Sequence, residues 1–553
     1  MEILDQEFDI LLDEKETIDI FLDHVSKNVV KDKVLLKTIL LTIFSSQTDN
    51  PLNLFIKGET STGKTFAVKN IVSLFKNRDC NMNKKIWVLG KLSPTAIYYD
   101  KGELWDLENN KRITIIKNEK TDEYYYENDL QNCLNGKIEK DEVQISKLID
   151  LTGATLIFYE APSYDTLMML RAILSHDNDD FDLEYKITKD QSVMTVFIRG
   201  SPASIFCQAQ ANKEGKEGMD ELASRCITVS PDESSEKYRE VIKRLGHKYS
   251  FGEKSRNEMR ERSLSKLINA IVELTKYNKV NSTKVMTPLA NSLYDKLPST
   301  QGSDMRHADQ YCQLIKLHTW FNAHKRPIII NRKNKVDSDK VIFSTQKDYE
   351  FLIDLLELFG NTIRGGIPKT AVELYMDFIV PTQEDGVTTK QLSTMLKERK
   401  KFRSPKQLLK HELAHLKNEN WIESIQSPED KRVKIFRSIT NDTDVINDMV
   451  FINNNKLIEF TQDHAIEYLT QFQDSDIYST FQDSIEYQIG ISSTPLTKTE
   501  FINNLISIPK QETKIENTDI SDNGNIIETN KEKQVGLNEY DIKEYNEKDK
   551  EVK

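Results

Sequence analysis

Residues 52 to 75 read LNLFIKGETSTGKTFAVKNIVSLF, and the fold turns on them. The first six are apolar and β-prone, the last twelve carry apolar side chains at helical spacing, and a glycine-bearing loop lies between. The chain there must run strand, loop, helix. The loop itself, Gly58-Glu59-Thr60-Ser61-Thr62-Gly63-Lys64-Thr65, matches GxxxxGK[ST], a pattern in which the glycines let the backbone curl so that its N–H groups surround a phosphate. Lys64 is placed to reach the β- and γ-phosphates and the Thr65 hydroxyl to ligate magnesium, while the following helix points its positive end at the anion. The expected cofactors are ATP, or GTP, with Mg2+.

Neighbouring segments supply a sheet for this loop. KIWVL (85 to 89), ATLIFY (154 to 159) and SVMTVFI (192 to 198) are short, apolar and β-rich, as buried strands are. Strands alternating with helices imply an α/β fold, a P-loop parallel sheet sandwiched by helices. A P-loop enzyme also needs a carboxylate at the tip of a neighbouring strand. LIFYE ends in Glu160, with Tyr159 where an aspartate usually stands, so Glu160 is a candidate for magnesium ligand or catalytic base. SVMTVFI leads into Arg199-Gly200-Ser201-Pro202; Ser201 reads either as a γ-phosphate sensor at a strand end or as a turn residue. Arg225, just before the β-like run CITV, reads as an arginine finger or as half of a structural salt bridge.

The rest of the chain divides around this core. Residues 1 to 48 predict a helical lead-in and residues 49 to 250 the P-loop core, with a charged, asparagine-rich insertion at about 100 to 147. Residues 251 to 335 predict a helical lid, 336 to 440 a connecting helix followed by a small helix–helix–hairpin module, and 441 to 553 a polar tail, largely disordered beyond about 490. No stretch of some 18 uncharged apolar residues occurs and the acidic start MEILDQEFDI lacks a signal-peptide pattern, so a cytoplasmic protein with no membrane partner is expected. Five scattered cysteines without a CxxC pair argue against a disulfide framework or zinc ribbon.

The net charge of -12 is uneven. Residues 1 to 50 carry -6 and residues 441 to 553 carry -13, whereas residues 386 to 440 hold 13 basic and 6 acidic side chains, a net of +7. That segment is where a polyanion would bind. It reads as two helices and a two-stranded wing, a winged helix-turn-helix. Lys406 and Lys410 would then face a DNA groove and Lys431, Arg432 and Lys434 would meet phosphates, with Trp421 and Ile422 closing the small core. Winged helices also serve as protein-binding modules. Inside the second helix, His411-Glu412-Leu413-Ala414-His415 matches the zincin HExxH spacing, but the lysine-rich surroundings and the lack of a third ligand disfavour a metal site.

The order of P-loop, single-Glu strand, polar strand end and ExxxR resembles the AAA+ ATPases. Within them, PLNLFIKGETSTGKT, KLSPTAIYY, LRAILSH and ELASRCITVSPDES look most like the replicative helicase-like ATPases that accompany primases in phages, plasmids and archaea. The resemblance spans about residues 30 to 440. It implies a homo-oligomeric ring, expected to be a hexamer, with Lys64, Thr65, Glu160, Ser201 and Arg225 in the roles above and Arg306 as a second sensor in the lid. It further implies an ATP-dependent DNA translocase acting on single-stranded or forked DNA in replication, with a primase or other replication proteins as partners. The alternative is a nucleotide-gated regulatory ATPase that uses its winged helix as a binding module.

Overall fold

The first described elements are two helices, α1 (Thr17–Val25) and α2 (Lys33–Ser45). In this computed structural model, residues 15–506 are described apart from 59, 91, 94–95, 98–102, 107–110, 113–114, 118–123, 127–144, 161, 175–182, 190–191, 210–224, 252–257, 282–283, 296, 298–301, 332–339, 366, 368, 383–384, 399–403, 419, 429, 431, 441–460, 474, 476–484 and 491–494. Then come β1 (Asn53–Gly58), α3 (Lys64–Phe75), β2 (Ile86–Leu89), β3 (Glu103–Asp106), β4 (Lys111–Arg112), the hairpin β5 (Ile115–Lys117) and β6 (Tyr124–Tyr126), β7 (Ile145–Asp150), β8 (Thr155–Phe158) and α4 (Tyr164–Ile173). They are followed by β9 (Leu183–Lys189), β10 (Ser192–Arg199), β11 (Ala203–Ala209), β12 (Ile227–Val229), α5 (Ser235–Phe251) and α6 (Glu258–Asn281).

Five of these strands form an all-parallel sheet in the order β12-β1-β11-β8-β2. Its strands are apolar on both faces because both are covered. Leu54, Ile56, Ile157, Ile205, Cys207, Ile227 and Val229 pack with α2 and α3 on one side. Phe55, Leu156, Phe158 and Phe206 pack with Leu167, Leu170 and Ile173 of α4 on the other. On that second face Phe158 and Phe206 stack with centroids 5.0 Å apart. Helix α2 is buried nearly all round, as a helix wedged between the sheet and other helices must be.

The segment expected as the third core strand lies elsewhere. Strand β10 joins a second five-stranded sheet, β4-β3-β7-β10-β9, pairing with β7 and β9. The place in the core sheet is taken by β11. The burial pattern gives the reason: β10 buries Val196 and Ile198 while Thr195, Phe197 and Arg199 are half-exposed, whereas β11 is buried at every position from Ala203 to Cys207. Strands β3 and β4 come from the presumed insertion and β7 overlaps its end, so residues of that stretch build half of the second sheet.

The two sheets share a parallel ribbon. Strands β7 and β10 pair in the second sheet and their continuations, β8 and β11, pair in the first. The elbow on the β10 side is Gly200, at φ +74° with its missing Cβ only 2.4 Å from Thr152 Oγ1, where a larger residue would collide with the neighbouring strand's turn. The backbone bonds Leu151 N–H to Arg199 O (2.9 Å) and Ala203 N–H to Ala154 O (3.0 Å) bracket the bend.

The lid is not purely helical. Helices α7 (Ala290–Tyr294), α8 (Gly302–Phe321) and α9 (Gln346–Gly365) accompany β13 (Lys284–Met286), β14 (Pro327–Asn331) and β15 (Lys340–Phe343). These strands form a mixed sheet, β13-β15-β14-β19, completed by β19 (Ile485–Ile489) from the far end of the chain. After α10 (Lys369–Leu374) come β16 (Val387–Thr388), α11 (Thr389–Glu398), α12 (Pro405–Lys410), α13 (Glu412–Asn418), β17 (Ile422–Gln426) and β18 (Lys434–Ser438), then α14 (Gln462–Gln473) and α15 (Lys498–Ile506). Residues 485–489 and 498–506 pack back against the lid, whereas residues 507–553, most of the stretch expected to be disordered, lie outside the described residues. Phe501 is fully buried, its ring centroid 5.6 Å from Phe343 and 5.0 Å from Tyr487. Among the described residues no helix is long and apolar enough to cross a membrane, and Cys80, Cys207, Cys226 and Cys312 are buried and unbonded.

A buried polar cluster ties the lead-in to the lid. Arg326 makes a two-pronged contact with Asp348, through Nε (2.8 Å to Oδ2) and Nη2 (2.7 Å to Oδ1), and reaches Glu16 at the start of α1 (2.8 Å). Asp348 also accepts from the Thr345 N–H (2.8 Å) and meets His318 Nδ1 at 2.7 Å. Burial alone would raise the Asp348 carboxyl, but the charge and hydrogen bonds of Arg326 and His318 together hold it well below the carboxylate range. Burial holds the His318 imidazole below its ordinary 6.5. As pH falls below 6.5, unfolded chains take up a proton at His318 that the folded protein refuses, so stability must fall with acidification, and Asp348 acts in the same direction below the ordinary carboxylate range. Denaturation midpoints of the wild type should therefore drop more between pH 7 and 5 than those of His318→Gln; parallel pH profiles would refute the assignment. Asp348→Asn, which strips Arg326 of its main counter-charge, should cost about 3–5 kcal/mol.

Candidate functional site

Strand β1 ends at Gly58 and helix α3 starts at Lys64, so the glycine loop sits at the carboxyl end of the central strand. The strand order reverses here: β1 lies between β11 and β12, the place where ligands settle in open parallel sheets. Ser61 (φ +69°) and Gly63 (φ +95°) are both left-handed, and Gly63 caps α3. Alternation of this kind turns successive N–H groups toward one concavity, the geometry that holds an anion. The α3 N-terminus adds its own unpaired N–H groups and positive end. Lys64 is buried, its ammonium donating to the Gly58 carbonyl at 2.9 Å. Thr65 follows in the first helical turn, beside the Cys207 thiol, which burial pushes up to about 12. Thr60, Ser61 and Thr62 line the loop, and Glu59 lies outside the described residues.

Glu160 follows β8 and is exposed at the same end of the sheet as the loop. Two strand spacings, about 10 Å, separate the β1 and β8 tips. Tyr159 just before it sits under the Lys69 ammonium, 5.0 Å from the ring centroid, and burial raises its phenol. The strand tip between the two belongs to β11, where Gln208 pairs in register with Lys57. Gln208, not Ser201, occupies the position of a polar group between loop and carboxylate.

A second feature was missed from sequence. Asp32, left-handed at φ +61°, is buried against Lys237, and its Oδ1 accepts from the Asp232 N–H at 2.6 Å. Burial raises the Asp32 carboxyl. The same Lys237 ammonium reaches the Thr62 carbonyl at 3.3 Å, between the two left-handed residues of the loop. This ion pair ties the glycine loop to the start of α2. Glu233 comes close on the same side: a Cβ on Gly58 would lie 3.2 Å from its Oε1 and from Pro231 Cδ. The signal was the run PDESSEK after β12, legible as charged but not as adjacent to the loop.

The remaining expected site residues sit at the other end of the sheet. Ser201 lies at the elbow before β11, and Arg225 precedes β12. With Leu54 level with Ile227 in parallel register, Arg225 lies on the order of 20 Å from the loop of its own chain. Helix α8 passes beside it, Gln310 Nε2 donating to the Arg225 carbonyl at 2.9 Å. Arg306, one turn earlier on the same face, is exposed. Ser201, at the amino end of its strand, lies away from the glycine loop at the carboxyl end, which does not fit the sensor alternative of its sequence reading.

In the basic segment, β16-β18-β17 form an antiparallel sheet over α11, α12 and α13. Trp421 and Ile422 are buried there, Trp421 5.2 Å from the Tyr375 ring. Ser404 caps α12 with Gln407 in a reciprocal capping box. Lys406, Arg432 and Lys434 are exposed; Lys410 lies on α12 and Lys431 outside the described residues. The helix expected to carry HELAH breaks at His411 (ψ -88°), which separates it from α13 with His415. Among the described residues no group of three or more His, Cys, Asp and Glu gathers around a metal-sized space.

No protein-family model matches the chain, and no curated protein matches it. Among solved structures, the chain is similar to SCCmec type IV Cch, described as an active helicase, at 12% identity over 78% of this chain and 71% of that one, with a TM-score of 0.28. A superposition that loose carries no argument about activity.

The Asp32–Lys237 ion pair gives a stability test. Lys237→Met strands a buried carboxylate and should cost about 3–5 kcal/mol, whereas Asp32→Leu with Lys237→Met removes both charges and should recover most of that loss. Equal thermal destabilisation in the single and double variants would mean that the pair contributes no mutual interaction.

Proposed function

We propose that this protein is an AAA+-type nucleoside triphosphatase that couples hydrolysis of ATP to movement on DNA, in the manner of a replicative helicase. The observation that carries the reading is the glycine loop at the switch point of an all-parallel sheet, with Lys64 and the α3 N-terminus facing one concavity and Glu160 two strands away at the same sheet end. The loop fits a polyphosphate: its left-handed residues, the helix terminus and an ammonium that now rests on the loop's own carbonyl form a cation-rich cradle. Thr65, with Glu160, would hold a magnesium ion, which supplies charge neutralisation between the β- and γ-oxygens.

The roles of the chain's own groups follow. The loop N–H groups fix the β-phosphate, and Lys64 leaves the Gly58 carbonyl to neutralise charge on the transferring group. Glu160 orients the attacking water. Gln208 is well placed to contact the γ-phosphate, the task first given to Ser201. Arg225 serves the site of a neighbouring subunit in a ring, since it cannot reach its own, and Arg306, exposed on the same end, accompanies it. The module of β16 to β18 is read as a winged helix whose Lys406, Arg432 and Lys434 meet DNA phosphates.

Turnover measured with and without single-stranded DNA tests this reading. Wild type should hydrolyse ATP several-fold faster with DNA, and Lys64→Ala should lose at least about a hundred-fold in rate. Turnover that ignores DNA would favour a nucleotide-gated switch, and unchanged turnover in Lys64→Ala would remove the enzyme reading. The trans placement of Arg225 is tested by mixing: Arg225→Ala and Lys64→Ala proteins, each inactive, should together regain part of the activity, because one supplies the loop and the other the arginine. A mixture of freely exchanging subunits as inactive as its components would restrict Arg225 to a structural part.

A further inference from the structure

The Lys237 ammonium is buried between two acceptors, the Asp32 carboxylate and the Thr62 carbonyl at 3.3 Å. Each end of this contact is set by further bonds. Asp32 is left-handed just before α2, and its Oδ1 accepts from the Asp232 N–H at 2.6 Å. The Asp232 carboxylate accepts from the N–H (2.8 Å) and the hydroxyl (2.9 Å) of Ser234, whose Oγ accepts from the Lys237 N–H at 3.2 Å as α5 begins. The ammonium is therefore a donor whose place is determined by the protein before any ligand binds.

Thr62 lies between Ser61 and Gly63, the two left-handed residues of the loop. A trans peptide is planar, and its C=O and N–H point to opposite sides. A donor that holds the Thr62 carbonyl on the α5 side thus turns the Gly63 N–H the other way, into the concavity. The next carbonyl belongs to the helix: Gly63 O accepts from the Ala67 N–H at 2.9 Å, the first bond of α3. The Thr62 carbonyl stands one residue before that ladder, and there Lys237 donates to it.

The two lysines at the loop differ in what balances them. Lys64 donates to the neutral Gly58 carbonyl, which it can exchange for a phosphate. Lys237 is matched by a buried carboxylate, and parting a buried ion pair is costly, so its ammonium stays on the protein when an anion enters. Building on the nucleotide reading above, we infer that Lys237 is a positioning residue of that site. It holds the peptide between Thr62 and Gly63 so that the Gly63 N–H faces the β-phosphate in advance, and Asp32 makes a buried ammonium tolerable there. Binding then does not have to order that peptide, and affinity rises accordingly.

Asp32→Leu/Lys237→Met removes the hold without stranding a charge, whereas Lys237→Arg keeps both the pair and a donor. In the full chain with Mg2+, the double variant should bind a fluorescent ATP analogue and pyrophosphate about ten-fold more weakly, the contribution of one charge-assisted hydrogen bond, at a melting temperature close to wild type. Lys237→Arg should stay within about three-fold of wild type. In turnover the loss should fall on KM rather than on kcat, because the β-phosphate is held alike before and in the transition state. If the double variant does not fold, Asp32→Asn/Lys237→Met, which keeps an acceptor for the Asp232 N–H, takes its place. Wild-type affinity without Lys237, a loss of kcat at unchanged KM, or affinities that simply follow thermal stability across the variants would each overturn the proposal and leave the pair a structural link. A wild type that binds neither ligand removes the nucleotide reading and the proposal together. Binding by wild type that is lost in Lys64→Ala upholds the nucleotide reading whatever the double variant does.

Discussion

Because all five strands of the central sheet run the same way, the sheet has two unlike ends, and every loop or side chain is committed to one of them by its position in a strand. The carboxyl end receives the glycine loop after β1, Glu160 after β8 and Gln208 at the tip of β11. The amino end receives Ser201, Arg225 and the α8 turn bearing Arg306. No side-chain rotation moves a group across a sheet some six residues deep. The separation of the glycine loop from Arg225 is thus a consequence of strand direction.

The surroundings hold that arrangement rigid. The glycine elbow carries the β7–β10 ribbon from one sheet into the other, so the second sheet is continuous with the strands that bear Glu160 and Gln208. On the opposite face, α1 is bound to the lid through Glu16, Arg326 and Asp348, three charges that are tolerable in the interior because each is met by another. The Asp32–Lys237 pair is a smaller version of the same solution placed at the loop itself. Both pairs join the lead-in helices to parts of the chain some two to three hundred residues away, so the N-terminal helices belong to the core rather than preceding it.

The loop was legible because each of its requirements is local: a short apolar strand, glycine where the backbone is left-handed, a lysine and threonine opening a helix. Glu160 was legible for the same reason, as the residue that ends a buried run. Ser201 was misplaced because SVMTVFI and ASIFCQA are both good strands, and composition says that a strand exists, not which sheet it joins. The alternation of burial along β10 was a readable hint of a one-faced sheet. The return of the tail was hidden because Phe343, against which Phe501 packs, lies more than 150 residues upstream.

The sequence by itself determined the strand–loop–helix unit, a carboxylate at the end of a buried strand and the helix–helix–hairpin order of the basic segment, since periodicity and backbone preference act over a few neighbouring residues. Only the tertiary structure decided which of these groups share an end of the sheet, that Lys237 and Asp32 stand beside the loop, and that α5 is exposed from Tyr238 to Ser250. Those facts depend on strand order and register, which are set by contacts between segments one to three hundred residues apart and leave no local trace.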